Sequence, residues 1–223
     1  MEKHSNLERR DAIRDFWNNH YEHTYEVTPP SLFAIHTLES LTGALNLRLL
    51  DYGCGNGRDS IFFSKYFEVL GVDLSEIVIN QNTIIGKQLG SAAKFSVLEK
   101  NKNLTNLIES FDPDVFYARF LLHAITLEHE NQMLSSLADA LRIGAIVCFE
   151  CRTTKDPLMQ KGIKVSEFER IYGHYRRFIV PDELRSRLIS LGFQINSFEE
   201  SNEFSPTLTD KPYLLRVSAM KIT

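Results

Sequence analysis

The run Asp51-Tyr52-Gly53-Cys54-Gly55-Asn56-Gly57 sets three glycines at alternate positions behind a carboxylate, and Asp73 closes the apolar segment that follows. Glycine tolerates backbone angles closed to other residues and lets a ligand approach the main chain. A carboxylate at the end of the neighbouring strand is placed to accept hydrogen bonds from both hydroxyls of a ribose. Together these residues suit a nucleoside-bearing cofactor. A dinucleotide site asks for G-x-G-x-x-G, and counting from Gly53 places Gly55 correctly but Arg58 where the third glycine belongs. The spacing is instead acidic-x-G-x-G-x-G. A turn that only reverses the chain is the plainer alternative.

Two further clusters could handle an acceptor. Arg119-Phe120-Leu121-Leu122-His123 follows the fourth apolar segment. That position makes His123 a candidate general base; the alternative is an imidazole satisfied by backbone. His174-Tyr175-Arg176-Arg177 lies in the polar stretch after the fifth apolar segment, with Arg152 at that segment's end. Guanidinium groups gathered there, beside Tyr175, suit a carboxylate, phosphate or phosphonate held bidentately. A solvated basic face is the alternative. His174 is the second candidate base.

Positioning these groups requires a sheet. Apolar runs at 47–52, 67–72, 95–98, 114–117 and 145–151 alternate with helical segments at 59–66, 75–89 and 128–141. This alternation predicts an α/β fold with a mostly parallel sheet and helices on both faces. Pro181 opens a helix over 182–191 that Gly192 stops. Strands at 193–198 and 213–220 then read as an antiparallel pair finishing the sheet. Ahead of the sheet, a polar and aromatic helical segment carries Phe16, Trp17, Tyr21 and Tyr25, and Ser31 caps a second helix.

Leu49 to Asp59, with the downstream acid at Asp73, resembles motif I of the class I S-adenosylmethionine-dependent methyltransferases, and the resemblance covers residues 45–151 well. It implies a Rossmann-like seven-stranded, mostly parallel sheet and S-adenosylmethionine as cofactor. It further implies that Asp51 and the backbone of Gly53, Cys54 and Gly55 line the methionine end. Asp73 would hold the ribose, Leu74 would flank the adenine, and Glu99 would sit near the adenine amino group. Arg119 would stand where cofactor and acceptor meet. In family members of this size a helix before the core folds over the cofactor as a lid. Trp17, Tyr21 and Tyr25 would then meet the sulfonium, whose charge an electron-rich ring attracts; plain core packing is the alternative.

The expected division is therefore residues 1–44 as an N-terminal helical lid and residues 45–223 as the cofactor-binding core, with an acceptor-site insertion at about 152–180. No Pro-Pro-Tyr tetrad follows the fourth strand, which disfavours a planar base or a glutamine amide as acceptor. Ala118–Ile125 and His174–Phe178 resemble bacterial small-molecule methyltransferases of surface-polysaccharide and phosphonate pathways. The expected reaction is methyl transfer to a small, anionic, hydroxyl-bearing acceptor, with O-methylation favoured over N-methylation. An NAD(P)-dependent oxidoreductase and a non-catalytic S-adenosylmethionine-binding module are the alternatives.

Composition narrows the field. The 25 Lys and Arg against 29 Asp and Glu leave a formal charge of −4, which provides no general footprint for nucleic acid or an anionic membrane. No apolar run approaches the roughly 20 residues that span a bilayer, and no signal-peptide core follows Met1. Cys54, Cys148 and Cys151 are an odd count. On a strand, Cys148 and Cys151 point to opposite faces, which suits neither a zinc site nor a redox pair. The expectation is a cytoplasmic enzyme with reduced thiols and no metal, a monomer or homodimer.

Overall fold

The computed structural model describes residues 6–24, 26, 28–41, 43, 46–98, 103–206 and 210–223. Two helices, α1 (Asn6–Thr24) and α2 (Leu32–Ser40), precede the alternating core. The core runs β1 (Arg48–Tyr52), α3 (Arg58–Phe63), β2 (Glu68–Asp73), α4 (Glu76–Gln88), β3 (Lys94–Val97), α5 (Leu104–Phe111), β4 (Val115–Arg119), α6 (Leu127–Ala140) and β5 (Ile146–Arg152). Three short strands follow: β6 (Ile163–Lys164), β7 (Glu169–Tyr172) and β8 (His174–Arg177). The chain then continues through α7 (Pro181–Ser190), β9 (Phe193–Ser201) and β10 (Leu214–Lys221).

The main sheet has seven strands in the order β3-β2-β1-β4-β5-β10-β9. Strands β1 to β5 are parallel, and β10 runs antiparallel to both of its neighbours. The strands are buried on both faces because alternate side chains serve two separate cores. Leu49, Val115, Tyr117 and Cys148 pack with Phe33 of α2 and Phe63 of α3. Leu50, Phe116, Ala118 and Phe149 pack instead with Ile108 of α5, Leu134 and Leu137 of α6, and Leu184 and Leu188 of α7. Cys151 joins this second core while Cys148 joins the first, so their thiols lie on opposite faces of the sheet.

Three features differ from the reading of the sequence. Helix α5 lies in a stretch where no helix is expected. Its short apolar face, carrying Leu104 and Ile108, is buried in the second core. The polar stretch after β5 holds the small antiparallel sheet β6-β7-β8, which is built largely from long polar side chains. Helix α2, grouped with the lid in the sequence, belongs to the core: Phe33 and Ala34 are buried and the Phe33 ring stacks on Tyr117 at 5.0 Å.

Of the two N-terminal helices, α1 is the one that packs against α4 and the small sheet. Its Tyr21 carbonyl accepts from Gln81 Nε2 of α4 at 3.4 Å, and the His174 ring of β8 lies 5.0 Å from Phe16 and 5.4 Å from Trp17. Among the described residues, no helix is long and apolar enough to cross a membrane.

Candidate active site

Strand order reverses direction at β1, whose neighbours β2 and β4 carry the chain away to opposite sides. Open α/β sheets form a crevice at such a point, outside the carboxyl ends of the strands. Here a cavity of about 640 Å³ opens there. Its walls include Trp17 and Tyr21 of α1, the turn Tyr52–Asn56, Asp73 and Leu74 after β2, Leu98 after β3, and Arg119–Leu121 after β4.

The turn is shaped by its glycines. Gly53 and Cys54 donate their backbone N–H groups to the Val72 carbonyl at 2.8 and 3.0 Å, which binds the turn to β2. Gly55 has φ +52°, and a Cβ there would lie 2.7 Å from the Tyr21 hydroxyl. Gly57 has φ +70°, and its Cβ would lie 2.8 Å from Asn82 Cγ. Asn82 in turn donates Nδ2 to the Gly55 carbonyl at 2.8 Å. Any side chain at these positions would have to displace the groups that close the turn.

Two carboxylates flank it. Asp73 Oδ2 accepts from Gly55 N at 3.0 Å and Oδ1 from Ser75 N at 3.0 Å. Burial raises its pKa, and these backbone donors oppose the rise. Each oxygen keeps a lone pair for a further donor. Asp51 Oδ2 accepts from Ser60 Oγ at 2.6 Å. Burial pushes the Asp51 pKa up to about 8, opposed by the Ser60 hydrogen bond and Arg119 and reinforced by Asp59 and Asp73. The unliganded site therefore holds a neutral carboxyl ready to ionise beside a cation.

A third acid was not singled out from the sequence. Asp59 accepts from Ser31 N at 2.7 Å, Ser31 Oγ at 2.7 Å and Tyr117 OH at 2.8 Å, all buried. This knot ties α2, α3 and β4 together beneath the cavity. Ser31 also caps α2 by accepting from Ala34 N at 3.0 Å. The helix-cap signal at Ser31 was legible, but its second partner was not.

The expected cofactor residues Trp17, Asp51, Gly53, Cys54, Gly55, Asp73, Leu74 and Arg119 all line this one cavity. Tyr25 and Glu99 lie outside the described residues. Arg58, His20 and His129 also line it; the sequence marked Arg58 only as a missing glycine.

The expected acceptor residues are not gathered there. Arg177 is buried and its guanidinium pairs with Glu130 while donating to the Leu122 carbonyl at 3.2 Å. Arg152 is buried and spent on Asp156 and Asp210. Both assignments to an acceptor anion are corrected: Arg152 is paired to two carboxylates, Arg177 shares buried Glu130 with Arg187, and neither lines the cavity. Tyr175 donates its hydroxyl to Glu169, and Arg176 donates Nη1 to the Tyr172 carbonyl within the small sheet. Neither lines the cavity.

His123 is likewise corrected as a base. Its Nδ1 accepts from the Arg152 backbone N–H at 3.1 Å, so the neutral ring carries its proton on Nε2 and has no lone pair to offer. Burial lowers its pKa well below the ordinary value, with Arg152, Arg176, His174 and Arg119 adding to the effect. His174 stands one ring away from the cavity, against Trp17. Its pKa is lowered to about 4 by burial first and by neighbouring cations second.

A family model described as a methyltransferase domain matches residues 9–197. A search of curated proteins finds no match. The fold is similar to that of 1,6-didemethyltoxoflavin-N1-methyltransferase from Burkholderia thailandensis, at TM-score 0.71 and 18% identity over 100% of this chain and 93% of that one. It is also similar to magnesium protoporphyrin IX methyltransferase from Synechocystis PCC 6803, at TM-score 0.69 and 17% identity over 95% and 99% of the two chains. The [4+2]-cyclase SpnF shares the fold at TM-score 0.66 and 12% identity, covering 96% of this chain and 94% of that one. A fold shared by a cyclase and by methyltransferases does not by itself name the reaction.

Proposed function

The chain belongs to the methyltransferase-domain family, and on that footing we propose that it transfers the methyl group of S-adenosylmethionine to the oxygen of a small, acidic hydroxyl compound. The observation that carries the reading is the pair Asp51 and Asp73, set at the ends of adjacent strands on either side of the glycine turn, facing one cavity. The residues fit the cofactor. Asp73 has lone pairs left for two ribose hydroxyls, and Leu74 and Leu98 offer apolar walls for a planar base. Asp51 is the acid for a cationic amino group, and the Trp17 and Tyr21 rings of α1 face a sulfonium as they would other cations. The turn's backbone comes as close as glycine alone allows.

The bound cofactor supplies an electrophilic methyl group, and the chain's residues have to align the attacking oxygen with it and exclude water. Helix α1 is the cover. The acceptor lies on the Arg119–Phe120 side, where Arg119 brings positive charge to the wall. A proton leaving the acceptor would pass to an imidazole of the cavity wall, His20 or His129, since His174 stands outside it behind Trp17.

The test is side-by-side thermal shift with S-adenosylhomocysteine and NADH, followed by incubation with S-adenosylmethionine and acidic hydroxylated metabolites while release of S-adenosylhomocysteine is followed. Stabilisation by S-adenosylhomocysteine and turnover with one acceptor class support the reading. Stabilisation by NADH alone would turn it toward an oxidoreductase. Tight cofactor binding with no turnover on any acceptor would leave a non-catalytic binding module.

A further inference from the structure

Among the described residues, three that are not glycine hold a left-handed backbone: Asn46 at φ +58°, Asp112 at φ +46° and Phe120 at φ +58°. Asparagine and aspartate enter that region readily, and Asp112 does so as the C-cap of α5. Phenylalanine does not, whereas glycine would take the same angle at no steric cost. The bend at Phe120 is fixed from both sides. Its N–H donates to the Glu150 carbonyl at 2.8 Å, so the residue is still held to β5. Directly after it, Leu121 comes so near the glycine turn that a Cβ on Gly53 would lie 3.0 Å from Leu121 Cδ1, and Leu122 is fully buried. The chain therefore has to swing at position 120, and it swings on a bulky residue. Strain of this kind at a cavity wall points to a task for the side chain.

The Phe120 ring is half-buried and lines the cavity. The guanidinium of Arg119 lies 3.9 Å over it, and the His123 ring meets it edge-on at 5.2 Å. Ring and guanidinium are both planar, so this wall is flat whichever of them a ligand meets. Leu74 and Leu98, the walls offered to the base, follow β2 and β3 on the far side of β1 from β4. Phe120 thus belongs to the other half of the cavity. A second flat wall comes from α1. This helix runs from β8, where Trp17 lies 5.4 Å from the His174 ring, to the turn, where the Tyr21 hydroxyl would meet a Cβ on Gly55 at 2.7 Å. Strand β8 is itself tied to the loop after Phe120, since Arg177 N donates to the His123 carbonyl at 2.8 Å. Trp17 therefore stands on the same half as Phe120, where Ile13, Ala124 and Ile125 add apolar lining.

We propose that Trp17 and Phe120 are the two walls of a slot for a flat aromatic ring, and that the acceptor is an aromatic hydroxyl compound. A planar ring gains stacking against such walls that a puckered aliphatic ring forgoes. The inference deepens the methyltransferase reading and rests on it for the reaction alone. In that reaction the ring oxygen takes the methyl group and gives up its proton to a wall imidazole, and the sulfonium is left as a neutral thioether.

Calorimetry on the full chain loaded with S-adenosylhomocysteine tests the slot with matched probes. 4-Hydroxybenzoate and 6-hydroxy-2-naphthoate are flat, whereas trans-4-hydroxycyclohexanecarboxylate carries the same hydroxyl and carboxylate on a puckered ring. Each is titrated into wild type, Phe120→Gly and Trp17→Leu. The flat probes should bind wild type about tenfold more tightly than the puckered one, and each variant should lose that preference. Phe120→Gly should melt no lower than wild type, because glycine accepts the left-handed backbone freely, and it should keep its affinity for S-adenosylhomocysteine. If flat and puckered probes bind wild type alike, if no flat probe binds it, or if either variant keeps the preference, the slot is wrong. A Tm of Phe120→Gly well below that of wild type would show that the ring serves the fold, and would equally overturn the proposal. Should wild type fail to bind S-adenosylhomocysteine, the methyltransferase reading falls, and the same titrations on the unloaded protein still decide the slot.

Discussion

Gly55 donates its backbone N–H to Asp73 Oδ2 at 3.0 Å, so the turn after β1 and the end of β2 form one piece. The carboxylate that would grip a ribose is also the group that holds the turn in shape. Ligand affinity and local order are therefore coupled at this residue.

Asp73→Ala should lower affinity for S-adenosylhomocysteine about ten- to hundredfold, the loss of one or two hydrogen bonds to a charged acceptor. It should lower the Tm as well, because Gly55 N and Ser75 N lose their acceptor. Asp73→Asn, which keeps one acceptor oxygen, should lose less of both. Calorimetry and thermal melts check this, and unchanged affinity in the alanine variant would remove Asp73 from the site.

Asp51 predicts a pH dependence of binding. Its pKa is raised from 3.8 to about 8, chiefly by burial. Below that value the unliganded protein holds it protonated, and a cationic ligand tail has to expel the proton. Affinity should rise with pH to about 8 and then level off. Titrations in buffers of different ionisation heat should show proton release in wild type and none in Asp51→Asn.

The same group predicts stability in the opposite sense. In the unfolded chain it ionises near 3.8, in the folded chain near 8, so the unfolded state loses its proton first as pH rises. Folded stability from this group is fully present below about 3.8 and is lost progressively as pH rises to about 8. Asp51→Asn should flatten the Tm curve of the unliganded protein over that interval and raise the Tm at its upper end. A melt series by circular dichroism gives the answer; a parallel pair of curves would contradict it.

Glu150→Ala leaves Arg119 and Arg216 facing one another without their shared carboxylate. Breaking a buried ion pair from one side costs about 3–5 kcal/mol. For a domain of this size that corresponds to a fall in Tm of about 6–20 °C. Adding Arg216→Met should recover part of it, and calorimetric melts of the single and double variants measure how much.

His123→Ala should destabilise by about 1–3 kcal/mol, because the Arg152 N–H loses its acceptor in a buried place. His123→Asn, which can present an amide oxygen there, should restore much of the Tm. Equal melting of both variants with wild type would show that this hydrogen bond is not a structural one.

The sheet and its order of elements were legible because strand and helix periodicities alternate cleanly from Leu47 to Cys151. The residues that line the cavity around the turn were legible for a related reason: the turn, the acid before it and the acid after β2 are fixed by local sequence. The acceptor side was not, because the fate of a guanidinium is decided by partners far along the chain. Arg177 finds Glu130, far away in sequence, and Arg152 finds the distant Asp210 as well as the nearby Asp156. The place of Arg58 on the cavity wall was missed for the converse reason, since the position is read for the glycine it lacks. Helix α5 and the sheet β6-β7-β8 are too short for periodicity to announce them.

Strand β10 comes after β9 in the chain but is inserted between β9 and β5. During synthesis β5 emerges from the ribosome with one side open, and β9 follows with nothing to pair to. Residues 214–221 fill the place beside β5, setting Val217 against Phe149 and Leu215 against Cys151. The nascent chain can assemble its nucleoside crevice early, yet it closes its hydrogen-bonded ladder only with its latest strand.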